Sequence, residues 1–423
     1  MKGQSGYDVI VIGGGPAGCS AAAVLAEAGR EVLILEREKF PRYKVGESMI
    51  PFTCHPLKRL GLIDRMRASH FVKKYSVQFV APSGKASQPF YFSSRYDDDV
   101  AQTWQVLRSE FDHILMDNAR EKGATVREEV KVTGLLSEGD RTQGVRIERT
   151  DGAVEELQAP MTLDCSGKEA FAAARKGWRK RDPYLNKVAV WTYYRGALRD
   201  EGIDAGATTV AFVPEKGWFW YIPQHDDMVS VGVVAEGKYL TRSGVKGTRA
   251  IFEREIKESL WIKEHLAPGE QVGKHFITSE YTFRSEYCAG PGLLLVGDAF
   301  GFLDPVFSSG LLLALKSGVL AGENVDRALD EGDVGPAQFE TYSSVMRQGT
   351  ENMRKLVYAF YNPDFSFRLL TDKYPKLAGD LTDCLSGDVN KDFSHLWEAI
   401  GEFVSLPEEL PYGAPSPELR LTA

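Results

Sequence analysis

Cysteine is scarce in this sequence, and its few cysteines follow no metal-binding pattern. The 423 residues contain five, which are Cys19, Cys54, Cys165, Cys288 and Cys384. There is no CxxC pair and no Cys/His spacing of the kind that zinc sites use, and an odd count does not suit a disulfide framework. We therefore predict neither a disulfide framework nor a metal site, and a reducing, cytoplasmic location.

The sequence also lacks an excess of basic residues and an apolar run of membrane length. Lysine and arginine number 51 against 59 aspartates and glutamates, a formal net charge of -8. Binding to nucleic acid or to an anionic membrane depends on basic surface. The most apolar stretch, residues 293–320, contains Asp298, Asp304 and Lys316, and residues 1–7 are too polar for a signal peptide. We expect no nucleic-acid partner and no membrane partner.

A βαβ unit opens the chain, whose 43% hydrophobic and 26% charged residues are ordinary for a globular protein. Residues 7–12 form an apolar, β-branched run, residues 16–28 are rich in alanine, and residues 31–36 are a second apolar run. This order predicts strand, helix and strand, the first part of a parallel sheet covered by helices.

Three glycines lie between the first strand and the helix in the pattern GxGxxG. Gly13 permits a tight turn, Gly15 lets a diphosphate approach the backbone, and Gly18 lets helix and strand pack closely. The helix N-terminus then offers free N–H groups to the diphosphate. Glu36 ends the second strand, where its carboxylate can accept hydrogen bonds from ribose hydroxyls. The pattern predicts a dinucleotide site, and FAD or NAD both remain open at this point.

A run of short strands separated by turns follows later in the chain. Residues 187–194, 208–213, 218–222 and 228–235 predict successive strands of an antiparallel sheet in a second domain. A strand-rich segment over residues 71–106 is expected to join the same sheet.

Three further segments indicate which dinucleotide is bound. Residues 293–299 are a strand that ends in Gly-Asp, residues 163–167 are a strand that ends at a small-residue turn, and Val106–Asp112 opens a helix with an arginine. Together with the glycine pattern they resemble the group A flavin monooxygenases, the para-hydroxybenzoate hydroxylase type. The resemblance implies FAD, with Asp298 at its ribityl chain and Arg108 helping to hold it.

The segment Gly217–Pro223 matches the WxWxIP signature of flavin-dependent halogenases. Trp218, Trp220 and Ile222 alternate along a strand, so they share one face. The resemblance implies that the two indoles shield the flavin from the substrate. The alternative from spacing alone is an aromatic core strand.

A second halogenase pattern, FxxPxxSxG, covers residues 302–310 at the start of a predicted helix. A loop of small residues at a helix N-terminus suits an anion. The resemblance implies that Ser309 and Gly310 bind halide through their N–H groups. The alternative is a loop that only packs against the flavin, as in related hydroxylases.

A third pattern, FxxK over residues 71–74, selects Lys74 as the family's essential lysine. Neighbours on a strand point to opposite faces, so Lys73 is expected to be solvated while Lys74 is not. A lysine in a dry cleft can donate to hypohalous acid or form a haloamine. Without the other patterns, a solvated and inert lysine would be the default.

Residues 40–48 resemble the family's FPRxxVGES segment, a strap beside the flavin. The sequence departs from many relatives at His70, where they have glycine. The residues to which the resemblance assigns further FAD contacts are Ala17, Arg37, Arg42, Ser48, Pro305, Gly310 and Leu311.

The predicted fold class is α/β, with a Rossmann-like FAD-binding domain interleaved with an antiparallel β-sheet substrate domain and followed by a helical C-terminal region. The predicted FAD-binding domain takes residues 1–70, 106–180 and 275–335, the substrate domain 71–105 and 181–274, and the C-terminal region 336–423.

The resemblance implies a halogenase that uses reduced FAD, O2 and chloride or bromide to make hypohalous acid, which reaches an aromatic ring beside Lys74. No second dinucleotide fingerprint is present, in agreement with reduced FAD arriving from a separate flavin reductase. Relatives that act on free tryptophan carry a glutamate where this sequence has Phe307. We therefore expect a phenolic or pyrrolic substrate, either free or attached to a carrier protein.

Two other functions fit the same patterns. One is a same-fold oxidoreductase that does not halogenate, either an aromatic hydroxylase or a reductase of the geranylgeranyl type. The other is a protein in which FAD is structural or only bound. The Trp218/Trp220 pair argues against a hydroxylase, because it would obstruct substrate access to the flavin. Oligomeric state has no signal in the sequence.

Overall fold

The computed structural model describes residues 6–214, 217–279, 282–410 and 412. Strands and helices are numbered here in chain order within these residues. The strands are β1 (Val9–Ile12), β2 (Val32–Leu35), β3 (Val72–Lys74), β4 (Ser76–Val80), β5 (Phe90–Tyr91), β6 (Thr103–Gln105), β7 (Thr125–Arg127), β8 (Val130–Glu138), β9 (Arg141–Arg149), β10 (Val154–Gln158), β11 (Met161–Asp164), β12 (Arg179–Arg181), β13 (Lys187–Arg195), β14 (Thr208–Val213), β15 (Gly217–Pro223), β16 (Met228–Glu236), β17 (Glu270–Ser279), β18 (Phe283–Ser285), β19 (Ala289–Gly290), β20 (Leu293–Leu295) and β21 (Gly301–Phe302).

The helices are concentrated around the first sheet and in the last hundred residues. They are α1 (Pro16–Glu27), α2 (Cys54–Arg59), α3 (Ile63–Ala68), α4 (Arg108–Glu121), α5 (Phe171–Arg175), α6 (Gly237–Leu240), α7 (Thr248–Glu258), α8 (Leu260–Leu266), α9 (Gly310–Glu331), α10 (Glu340–Tyr361), α11 (Phe367–Lys373), α12 (Ala378–Ser386) and α13 (Ser394–Gly401). None of the helices in the described ranges is long and apolar enough to cross a membrane.

The first strand lies inside a six-stranded sheet of order β19-β20-β11-β1-β2-β7. Strands β20, β11, β1, β2 and β7 run parallel, and only β19 is antiparallel to its neighbour. All four residues of β1, β2 and β11 are buried, as expected for apolar strands covered on both faces. The carboxyl ends of β1, β2, β11 and β20 therefore meet at one edge, where the glycine pattern begins.

Helix α1 packs closely against α9 because small residues line both helices. A Cβ on Gly318 would lie 2.4 Å from the carbonyl oxygen of Ala17, and one on Gly322 would lie 2.8 Å from the Cβ of Val24. No larger side chain fits at either glycine without moving a helix. This contact joins the predicted dinucleotide helix to the helix of the FxxPxxSxG pattern.

The second sheet has seven strands in the order β17-β13-β16-β15-β14-β4-β5. Its middle strand β15 is buried on both faces: Trp218 and Trp220 point into the large core shared with the first sheet. Phe219 and Tyr221 point the other way, where Phe252 of α7 and Trp261 of α8 cover them. The predicted alternation along this strand is confirmed.

The segment 71–106 contributes to this sheet only in part. Strands β4 and β5 join it as predicted, but β3 pairs with β6 in a separate two-stranded ribbon. Strand β17 runs through the predicted domain boundary at residue 275, so that boundary falls inside one continuous strand. The division into domains otherwise stays a prediction, and residues 413–423 of the predicted C-terminal region lie outside the described residues.

The C-terminal helices pack over the loop that precedes α9. Phe307 contacts Phe360 of α10 and Phe367 of α11. Farther along, Arg95 makes a two-bonded ion pair with Asp383 of α12, with N–O distances of 2.8 Å. The C-terminal region is therefore part of the same core as the two sheets.

Candidate functional site

The GxGxxG turn has the close contacts that its glycines predict. Gly13 has a positive φ of 102°, and a Cβ there would lie 2.5 Å from the carbonyl oxygen of Cys165. A Cβ on Gly18 would lie 2.0 Å from the carbonyl oxygen of Gly13. At Gly15 a Cβ would meet only the guanidinium of Arg42, at 3.6 Å, so space is open in front of α1. An open helix N-terminus beside an arginine fits the diphosphate of FAD.

Glu36 is buried and already makes two hydrogen bonds to the backbone. Its Oε2 accepts from the N–H of Gly14 and its Oε1 from the N–H of Glu38, both at 2.9 Å. The carboxylate thus holds the glycine turn in shape, a role that the sequence did not suggest. Its remaining lone pairs are available for the predicted ribose contacts.

Arg42 and Arg108, both predicted to hold FAD, are joined by one buried carboxylate. Arg108 donates to both oxygens of Asp112, at 2.8 and 2.9 Å, and Arg42 donates to Oδ2 of Asp112 at 2.9 Å. Arg108 also donates to the carbonyl oxygen of Val45, at 2.9 Å, in the predicted strap. Sequence reasoning missed Asp112, although its position four residues after Arg108 on one helix was a usable signal.

The other predicted FAD residues lie around the same edge of the sheet. Ala17 packs under Gly297, where a Cβ would lie 2.9 Å from the Cβ of Ala17. Burial raises the pKa of Asp298 to about 6, although Arg108 opposes the shift. Arg37 lies farther out, in an ion pair with Glu169.

Lys74 is buried, with 1% of its surface exposed, whereas its neighbour Lys73 is exposed. Its Nζ donates to Ser48 Oγ at 3.0 Å and to the carbonyl oxygen of Met49 at 2.9 Å. Desolvation lowers the pKa of this ammonium from 10.5 to about 7. Lys74 is thus buried and Lys73 exposed, as predicted from the FxxK pattern.

Ser48, which accepts a hydrogen bond from Lys74, belongs to a buried hydrogen-bond network. Ser48 Oγ lies 2.9 Å from Thr208 Oγ1, which accepts from Gln105 Nε2 at 2.8 Å. Gln105 also donates to the carbonyl oxygen of Gly206, at 2.9 Å. This hydrogen-bond network joins three segments that are far apart in sequence. The sequence motifs therefore pointed to Ser48 but to neither Thr208 nor Gln105.

The loop before α9 meets the tryptophan strand through a tyrosine from α10. Asp304 Oδ2 accepts from the Tyr361 hydroxyl, which accepts from Trp218 Nε1, both at 2.8 Å. Burial raises the pKa of Asp304 to about 6. Two motifs found separately in the sequence are therefore joined by Tyr361, in a region where no motif could be recognised.

Ser309 is the buried N-cap of α9, and Gly310 is its first residue. A Cβ on Gly310 would meet no atom within 4 Å, so the helix N-terminus faces open space. Pro305 opens the short turn before the helix, and Leu311 is buried in the first helical turn. A 22-residue helix with an open N-terminus has the dipole and the free N–H groups that favour a halide ion.

The indoles of Trp218 and Trp220 are tilted by 50° to each other, with ring centroids 6.0 Å apart, and Trp191 adds a third ring 6.2 Å from Trp220. Trp220 Nε1 donates to Ser230 Oγ at 3.0 Å. The strand is thus an aromatic core strand, and the same rings fill the space next to the Asp304 loop. The two interpretations of the WxWxIP motif, an aromatic core strand and a shield beside the flavin, are therefore compatible.

Glu47, next to Ser48 in the strap, is a further buried carboxyl that sequence reasoning missed. Its Oε1 accepts from the Tyr193 hydroxyl at 2.6 Å, and its Oε2 lies 3.3 Å from Ser230 Oγ. Burial raises the pKa of Glu47 above its usual range. It links the strap to the hydrogen-bond partner of Trp220.

Comparison with known proteins agrees with this arrangement. A family profile described as "FAD binding domain" matches residues 6–355. The 1H-pyrrole-2-carbonyl-[peptidyl-carrier protein] chlorinase of Pseudomonas fluorescens is 29% identical over 90% of this chain and 89% of its own length. The flavin-dependent halogenase armH3 of Armillaria mellea is 33% identical over 75% of this chain and 67% of its own. The structure of the flavin-dependent brominase Bmp2 superimposes with a TM-score of 0.83 at 28% identity, covering 94% of this chain and 97% of Bmp2. The chain therefore belongs to the flavin-dependent halogenases, FAD-binding enzymes of the oxidoreductase type.

Proposed function

We propose that this halogenase acts on a pyrrole ring attached to a peptidyl carrier protein, with Lys74 as its catalytic residue. The observation that carries the proposal is the environment of Lys74: a buried amine, hydrogen-bonded to Ser48 and to Met49, whose pKa burial lowers to about 7. Within the described residues no carboxylate forms an ion pair with it, and desolvation alone lowers its pKa. At neutral pH such a lysine exists in both protonation states, which suits a group that handles hypohalous acid.

Reduced FAD, with O2 and chloride or bromide, supplies hypohalous acid as the halogenating reagent. The residues of this chain that would hold the cofactor are the N-terminal turn of α1, Arg42, Arg108 and Asp298. Ser309 and Gly310 would hold the halide at the N-terminus of α9. The indoles of the tryptophan strand would keep the ring to be halogenated away from the flavin, so only the small reagent passes to Lys74.

Phe307, the residue directly before the two serines of the loop at α9, favours an activated ring, either a pyrrole or a phenol, and the name of the Pseudomonas fluorescens chlorinase favours the pyrrole. Phe307 is buried against Phe360 and Phe367, so this position offers no carboxylate to remove a proton from the ring. Pyrroles and phenols are activated enough to need less help from a base. Attachment to a carrier protein is supported by the name of the Pseudomonas fluorescens chlorinase, which matches most of this chain.

Two further parts of the proposal concern how the enzyme is supplied. A separate flavin reductase would deliver reduced FAD, because the chain has a single dinucleotide fingerprint. We also propose that the enzyme works in the cytoplasm, which the five unpaired, buried cysteines support.

The test combines the purified protein with FAD, a flavin reductase, NADH, O2 and either chloride or bromide. Pyrrole-2-carboxylate is offered both loaded on a peptidyl carrier protein and free, beside a panel of phenols and free tryptophan, and mass spectrometry identifies the products. We expect a halogenated, carrier-bound pyrrole, and we expect Lys74→Ala to abolish it while reduced flavin is still oxidised. Lys73→Ala is the matched control, because the neighbouring lysine is exposed, and it should keep full activity.

Four results would count against the proposal. Hydroxylated product would favour the same-fold monooxygenase, and NADH or NADPH oxidation stimulated by substrate without the reductase would do the same. Halogenation of free phenols with no turnover of the carrier-bound pyrrole would keep Lys74 as the catalytic residue but overturn the substrate. Undiminished halogenation by Lys74→Ala would overturn the role of the lysine itself.

A further inference from the structure

Two histidines and a glutamate converge at the surface, outside the residues that the reaction uses. His70 Nε2 is 2.8 Å from Glu110 Oε2, and His225 Nε2 is 3.2 Å from Glu110 Oε1. The three donor atoms all lie within 4.8 Å of one another. We propose that this His-Glu-His cluster is a binding site for a divalent transition-metal ion of the zinc class.

The spacing of the donor atoms suits zinc. Two donors that each lie about 2.0–2.1 Å from zinc at a tetrahedral angle are about 3.3 Å apart. The two histidines contact different oxygens of Glu110, at 2.8 and 3.2 Å, which differ from this spacing by about half an ångström or less. The two histidine nitrogens lie within 4.8 Å of each other, and side-chain rotations can bring all three donors to the spacing of a bound ion. Two imidazoles and one carboxylate are an established zinc donor set, with water in the fourth position.

Three separate elements hold the donors together. His70 directly precedes the Phe71 that leads into β3, Glu110 lies in the first turn of α4, and His225 follows β15. The turn after β15 is closed by hydrogen bonds from Gln224 N to Met228 O at 2.7 Å and from Met228 N to His225 O at 3.2 Å. The closed turn thus fixes the backbone of His225, and the convergence of the three elements brings the donors together before any ion is bound.

The cluster is accessible and its charge suits a cation. The His70 side chain is 65% exposed and that of Glu110 is 38% exposed, so an ion can enter from solvent, whereas His225 is only 10% exposed. The Asp226 carboxylate lies 3.8 Å from His225 Nε2 and adds a second negative charge. The prediction of no metal site rested on cysteine patterns, which do not bear on a cluster of histidine and glutamate.

The position of the site gives the ion a structural consequence. It would tie together the segment that leads to Lys74, the helix that begins with Arg108, and the end of the strand that carries Trp218 and Trp220. A metal ion there would stiffen the common support of these residues without contacting any of them.

The experiment measures Zn²⁺ binding to the FAD-loaded full chain, made without a histidine tag and treated with a chelator. Titration calorimetry should give one Zn²⁺ per chain, and Zn²⁺ should raise the Tm in a concentration-dependent way. Loss of an outer-shell partner alone costs about 10–100-fold in metal affinity. We therefore expect His225→Gln and the double variant His70→Gln/His225→Gln to bind about 100-fold more weakly or worse.

His395→Gln is the control, because His395 forms a His-Glu pair elsewhere on the surface, at 3.5 Å from Glu398. It should bind Zn²⁺ as the unmodified protein does. Co²⁺ should give the visible absorption of a tetrahedral site, lost in Glu110→Gln. The absence of Zn²⁺ binding, or equal binding and an equal Tm rise in the double variant, would overturn the proposal. None of these readouts depends on halogenation, so this proposal and the proposed substrate fail independently.

Discussion

Replacing Lys74 with methionine tests whether the buried amine really loses its proton near neutral pH. Burial lowers its pKa from 10.5 to about 7, and each pKa unit corresponds to about 1.4 kcal/mol. Keeping Lys74 charged in the folded protein therefore costs about 5 kcal/mol. Methionine has a similar length and no charge, so Lys74→Met removes this cost together with the hydrogen bonds to Ser48 and Met49.

The sign of the pH effect follows from where the proton resides. Below pH 7 the folded and unfolded chains both hold it, and the full cost is present in the folded state. Above pH 7 only the unfolded chain keeps it, so the free energy of unfolding rises by about 1.4 kcal/mol per pH unit towards pH 10. The methionine variant lacks this rise. Its free energy of unfolding relative to the unmodified enzyme should change little between pH 6 and 7 and fall by about 2 kcal/mol between pH 7 and 9.

The assay is urea unfolding of the two proteins at saturating FAD across this pH range. The lost hydrogen bonds add a constant to the difference and do not change its slope, so the slope is the diagnostic quantity. Lys73→Met is the control and should show no slope, because Lys73 is exposed. A difference that stays constant from pH 6 to 9 for Lys74→Met would show that water reaches the amine, and would refute the dry-site argument.

Three other substitutions probe the contacts around this lysine and the cofactor site. Asp112→Asn removes the negative charge that two buried arginines share, so it should lower the free energy of unfolding by about 3–5 kcal/mol. It should also weaken FAD binding in a fluorescence titration. Asp117→Asn, on the exposed side of the same helix, is the control and should change neither quantity. Tyr361→Phe leaves the buried Asp304 without its hydroxyl donor and should cost about 1–3 kcal/mol by urea unfolding; an unchanged midpoint would mean that water replaces the hydroxyl. Ser48→Ala removes one of the two acceptors of Lys74, the proposed catalytic residue, and should lower kcat about tenfold; a matching loss of FAD affinity would instead support the FAD contact that the resemblance assigns to Ser48.

The parts of the fold that could be predicted are those specified by short-range pattern. The short, β-branched apolar run before Gly13 is typical of a buried strand, and the glycine spacing predicts the turn that follows it. Strand β15 was predicted to within one residue at each end, because its tryptophans alternate with apolar residues that the opposite core also buries. Helix α4 begins at Arg108, inside the segment Val106–Asp112 that predicted a helix start.

The two-stranded ribbon that carries Lys74 shows where local pattern stops being sufficient. Residues 72–74 and 103–105 have the composition of β-strands. Their composition does not indicate whether they pair with each other or join the edge of the seven-stranded sheet. Pairing with β6 instead of the seven-stranded sheet turns Lys74 towards Ser48 and leaves Lys73 in solvent. The alternation could be predicted from sequence, but the direction of the buried face depends on a partner strand 31 residues away.

The C-terminal hundred residues carry no recognisable motif, yet they pack against the loop before α9 that is proposed to bind halide. A motif records residues that contact a common ligand, whereas Tyr361 joins two motifs to each other through hydrogen bonds. Its hydroxyl bridges Asp304 and Trp218, and the helix that carries it ends with the aromatic contacts to Phe307. Residue 361 must carry a hydroxyl that can contact both Asp304 and Trp218. The distance between these two residues determines how long the side chain has to be. Such a requirement exists only once the tertiary structure has formed, and for that reason the sequence of α10 indicated a helix but not its part in the site.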